Sequence, residues 1–78
     1  MRYTDLPQSI QDISDRLDEI NMRYVGYVGW LSGNHYQDMA HGDKIRIGKL
    51  NAALWRAIAD NGLRDQDVLF AIAQKGSK

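Results

Sequence analysis

"LPQSIQDISDRLDEINMRYVGYVGWL", residues 6–31, is the stretch on which the fold turns. Its apolar residues fall at Leu6, Ile10, Ile13, Leu17, Ile20, Tyr24, Tyr27 and Leu31, in steps of 4, 3, 4, 3, 4, 3 and 4. Those steps set all eight side chains on one stripe of an α-helix. Thr4 or Asp5 is the candidate N-cap, and Pro7 falls in the first turn, where its missing N–H does little harm. Ser32-Gly33-Asn34 reads as a stop and a restart: Gly33 is suited to end one helix, Asn34 to cap the next, and Gln37 stands in the capping-box position. The spacing predicts a first helix over about residues 5–32.

The same rhythm continues at Tyr36, Ala40, Asp43, Ile47, Leu50, Leu54 and Ala57, with Asp43 the one charged intruder. It predicts a second helix over about residues 35–60, unless Gly42-Asp43 is a break and Asp43 caps a later start. Asp60-Asn61-Gly62 ends that helix. Arg64 or Asp65 opens a third, over about 65–75, with Val68, Leu69, Ile72 and Ala73 on one side and Gly76 as the stop. A short connection between two long helices forces an antiparallel hairpin, whose facing residues have numbers summing to about 67. The expected architecture is all-α and a single domain over residues 1–78: a long antiparallel helical hairpin plus a short third helix.

Charge follows the same division. Residues 1–39 carry three basic and six acidic groups, and residues 40–78 seven and four, for a net charge of zero. In the hairpin the acidic stretch Asp12 to Glu19 would face the basic stretch of the second helix, which accounts for the split without a ligand. A balanced chain is a poor candidate for non-specific nucleic-acid binding. There is no cysteine, so disulfides, thiolate metal sites and cysteine nucleophiles are excluded. The longest run free of charge and amide, residues 24–33, is about half of what a bilayer requires. With no leader-like apolar core after Met1, a cytoplasmic chain without membrane contact is expected.

The second helix has more apolar surface than one hairpin uses. His41, Ile45, Gly48, Ala52, Trp55 and Ala59 form a second stripe, again in steps of 4 and 3. The third helix is long enough to cover its Trp55–Ala59 end only. At the closed end of the hairpin, Met22, Val25, Gly29, Trp30, Met39, His41 and Ile45 lie off the seam and form the expected protein interface. Trp30 is the expected anchor, since tryptophan dominates interface hot spots. Replacing it by alanine should weaken association and leave helicity intact.

Catalytic chemistry finds little support. No carboxylate pair sits in an evident cleft, so no enzyme and no cofactor are expected. His35, Asp38 and His41 are spaced three apart, which spreads metal ligands around a helix, so polar residues at a helix start are the simpler reading. The residues point to a non-enzymatic interaction protein, self-associating as a dimer, that binds and modulates or inhibits a larger protein. Small accessory proteins of phages and mobile elements are commonly of this kind. The rival is a nucleic-acid-binding regulator. It would use Lys44, Arg46, Lys49 and Arg56 along a hairpin, or residues 58–72 as a helix-turn-helix, although that second helix is apolar and carries Asp67 near its start.

Overall fold

A computed structural model describes residues 1–24, 30–31 and 36–75. It holds three α-helices and, among the described residues, no strand: α1 is Gln8–Asn21, α2 is His41–Asp60 and α3 is Asp65–Gln74. Short 3-10 turns, Tyr3–Asp5 and Tyr36–Asp38, precede α1 and α2. The all-α class is as expected, and α1 and α2 pack as an antiparallel pair. Ile10 shares a core with Leu54 and Ile58 at one end. Leu17 and Ile20 share another with Met39 and Ile47.

Both long helices are shorter than their patterns predict. A proline drives the residue before it into extended backbone. Leu6 obeys, with φ −69° and ψ 149°, so no helix runs through from residue 5. Pro7 takes the N-cap place, and its carbonyl accepts from the N–H groups of Ile10 and Gln11. Asp5 caps the preceding 3-10 turn instead, accepting from the Arg2 N–H at 3.0 Å. At the other end α1 stops at Asn21, ten residues before Leu31. There Asn21 is fully buried and its Nδ2 donates to the Leu17 carbonyl at 2.8 Å. Residues 22–24 then close as a turn.

α2 begins at His41, close to the break suspected at Gly42-Asp43. Asp43 lies in its first turn, where a carboxylate is favoured by the helix dipole. Its end is a Schellman motif: the Gly62 N–H bonds to Ala59 O and the Leu63 N–H to Ile58 O, each at 3.1 Å. Gly62 sits at φ 65°, a conformation that costs a residue with a Cβ about 1–2 kcal/mol.

α3 folds back across the open end of the pair. Val68, Ala71 and Ile72 are buried with Leu6, Ile10, Leu54 and Ile58, and Tyr3 and Leu63 pack at the edge. Of the four residues expected inward, Val68 and Ile72 are in the core, Leu69 is half-buried and Ala73 is exposed. The expected meeting of the acidic side of α1 with α2 is modified by Lys75, just beyond α3. Its Nζ donates to Asp15 at 2.7 Å, to Asp18 and to the buried Ser14 hydroxyl at 3.2 Å, and lies 5.0 Å from the Tyr3 ring centroid. Burial opposes the charge on Lys75, but the two carboxylates outweigh it and hold its pKa well above the usual lysine range. In turn Lys75 holds Asp15 below the usual carboxylate range.

Candidate docking face on the second helix

α2 is the central helix, and its residues sort cleanly by direction. Asp43, Ile47, Leu54 and Ile58 are buried against the rest of the chain. Just over a third of a turn away, at 100° per residue, lies the second stripe. Every one of its members, His41, Ile45, Gly48, Ala52, Trp55 and Ala59, is exposed. Ile45 and Trp55 each keep 46% of their surface in solvent. α3 does not cover the Trp55–Ala59 end as predicted. It is drawn instead to the Leu54–Ile58 row, where it also reaches Leu6 and Ile10.

Among the described residues, a Cβ placed on Gly48 would meet no atom within 4 Å. No described neighbour therefore requires glycine there, in mid-helix, where it costs about 1 kcal/mol against alanine. The borders of the stripe are basic. Lys44 flanks one side, with its Nζ 5.4 Å from the Tyr36 ring centroid. Lys49 and Arg56 flank the other, exposed.

Beyond Lys49 an open groove of about 350 Å³ runs between α1 and α2, lined by Arg16, Glu19, Ile20, Arg23, Arg46, Lys49 and Leu50. Two of these cations are anchored by Asp43. Its Oδ1 accepts from Arg46 at 2.8 Å and from Arg23 at 3.1 Å. Its Oδ2 accepts from the Tyr24 hydroxyl at 2.6 Å. That hydroxyl accepts in turn from the Ala40 N–H at 3.1 Å, so Tyr24 caps α2 from across the hairpin. The Tyr24 bond, followed by the two guanidinium groups, holds the Asp43 carboxyl below its usual range against the effect of burial. The same bond pushes the Tyr24 phenol up.

The expected interface is only partly assembled. Met22 is 67% exposed, and His41 and Ile45 are exposed on the stripe. Met39 is a correction: it is buried with Leu17, Ile20 and Ile47. Trp30 is a second correction, for it packs against both core clusters and its Nε1 is buried. The helical stripe rule fails for both because neither belongs to a helix. Val25 and Gly29 lie outside the described residues, as do Tyr27, Gly33, Asn34, His35 and Gly76. Asp38 is exposed, and among the described residues no three candidate ligands gather around a metal position.

The four cations named for nucleic acid do not form one strip. Arg46, Lys49 and Arg56 share the groove side, whereas Lys44 is on the opposite border. Arg16 and Arg23 join the groove and were missed. Arg16 stands on α1 and Arg23 in the turn that follows it, and the hairpin register places them opposite Lys49 and Arg46. Among the described residues no helix is long and apolar enough to cross a membrane. No protein-family model matches the chain, and neither does any curated protein or solved structure.

Proposed function

We propose that this chain is a non-enzymatic helical docking module that binds a larger protein through the exposed stripe of α2 and modulates or inhibits it. One observation carries the reading: the six residues from His41 to Ala59 repeat at helical spacing and stand in solvent, while the remainder of the apolar pattern of α2 is used in the core. An ordered apolar row of this length is a surface made for contact. Ile45 and Trp55 are its large side chains, and tryptophan is enriched among the residues that dominate binding energy. The contact set thus moves from the closed end of the hairpin to His41, Ile45, Gly48, Ala52, Trp55 and Ala59. The test is a photo-crosslinking residue placed at position 55, at position 45 and, as a control, at exposed Gln66 on α3. Adducts with one protein at 55 and 45, and none at 66, support the reading. Adducts at 66 equal to those at 55 refute it.

A second reading, nucleic-acid binding, draws on a different observation, the grouping of Arg16, Arg23, Arg46 and Lys49 around one groove. Two of the four are already neutralised in part by Asp43, and Glu19 stands among them. Phosphate contacts would give binding that falls steeply with salt, and absence of binding to duplex or hairpin RNA at low salt removes this reading.

A further inference from the structure

We infer that the partner element seated on α2 is an acidic amphipathic helix of another protein. This rests on the docking reading above and adds the chemistry of the occupant. The stripe from His41 to Ala59 is about 27 Å long at 1.5 Å per residue, and its 4–3 steps are those of a helix-pairing seam. A second helix with apolar residues at the same repeat is the shape that fits such a row. Gly48 and Ala52 form a shallow stretch between Ile45 and Trp55, with open space above Gly48. It accepts large side chains from the other helix.

Charge selects among helices. In a paired seam the residues beside the apolar row meet their counterparts across the contact. Here those are Lys44 on one side and Lys49 and Arg56 on the other. A second copy of this chain fits badly in either direction. Parallel pairing sets Lys44 against Lys49 of the other copy, twice. Antiparallel pairing sets Lys49 against Arg56, twice. Like charges across a contact disfavour the wrong partner, and opposite charges select the right one. Farther out on the groove side, Arg46 and Arg23 are paired with Asp43 and Arg16 shares the groove with Glu19, so the selecting charges are Lys44, Lys49 and Arg56. Asp60 adds an acid at the far end of that side. The complement is a helix carrying Glu or Asp beside its apolar row.

The experiment uses the full chain and two synthetic three-heptad peptides. Both have Leu in the seam; one has Glu at the flanking positions and the other Lys. Binding is read by fluorescence anisotropy of the labelled peptide, and molar mass by light scattering. The expected result is that the Glu peptide binds and the Lys peptide does not. Trp55→Ala and the pair Lys49→Glu, Arg56→Glu should each weaken binding about tenfold or more, a hot-spot-sized loss. All three positions are exposed, so these variants should fold, and Ile45→Ser serves as a second probe of the stripe. Equal binding of both peptides, lost in Trp55→Ala, would keep the docking face and overturn the acidic occupant. A dimer dissolved by Trp55→Ala, with no peptide bound, would assign the face to a second copy and overturn the inference. Glu-peptide binding unchanged by Trp55→Ala would show attraction to cations alone and overturn both readings. So would a monomer that binds neither peptide. Binding of single-stranded DNA by that monomer would transfer the groove to nucleic acid.

Discussion

Replacing Gly48 by alanine should stabilise the isolated chain. The residue is exposed in the middle of α2, and among the described residues the added methyl meets no atom within 4 Å. Its backbone conformation is no obstacle, since among the described residues only Gly62 has a positive φ. The gain is then the helix propensity of alanine over glycine, about 0.8–1.0 kcal/mol. For a domain of this size that shifts the thermal midpoint upward by about 4–8 °C. Far-UV circular dichroism melts at low and high protein concentration, with urea titrations beside them, would measure it. Gly62→Ala is the internal control with the opposite sign, because φ 65° is costly for alanine by about 1–2 kcal/mol. A lower midpoint for Gly48→Ala would refute the reasoning. It would mean that the α2 backbone at residue 48 lies against something in solution, and that the stripe is already occupied.

Three further outcomes concern the rest of the fold. Leu54→Ala should cost about 2–5 kcal/mol, because Leu54 is 1% exposed between Ile10 and Ile58; a loss under 1 kcal/mol by urea unfolding would count against that core. Trp30→Ala should now lower the thermal midpoint, since Trp30 packs on both core clusters; an unchanged melt would return it to the surface. The pH dependence has two limbs. The depressed Asp43 and Asp15 pKa values contribute stability that is present above the ordinary value of 3.8 and is lost as pH falls through the folded values. The raised Lys75 pKa contributes stability that is complete below the ordinary 10.5 and is lost as pH rises through the folded value. Lys75→Met should therefore flatten the alkaline limb and Asp43→Asn the acid limb, both read from urea midpoints against pH; unchanged limbs would show that the ion pairs do not form in solution.

What the sequence disclosed and what it hid can be separated residue by residue. The core row of α2, its Asn61-Gly62 stop, α3 and the second stripe all follow from local periodicity and glycine position, because those residues do lie on helices. The length of α1 was hidden. Its 4–3 rhythm persists to Leu31, yet the helix ends at Asn21, and Tyr24, beyond it, packs at the edge of the Leu17–Ile47 cluster while its hydroxyl caps α2 and partners Asp43. Once the chain leaves the helix, a helical face no longer says which side chains are inside, and Trp30 and Met39 were misplaced for that reason. Ser14 and Asn21, polar and fully buried, interleave with Ile10 and Leu17, and no apolar pattern marks them. The Lys75 contacts span about sixty residues of sequence, and only the packing of α3 brings them together.

The most direct test of an open docking face is the environment of Trp55. In a Trp30→Phe chain it is the sole tryptophan. Its accessibility to a neutral quencher should be followed over a wide range of protein concentration, with molar mass measured on the same samples. An open stripe leaves Trp55 freely quenched throughout, at the monomer mass of 8.9 kDa. Shielding of Trp55 in the dilute monomer, or shielding that grows with concentration as the mass doubles, would contradict it.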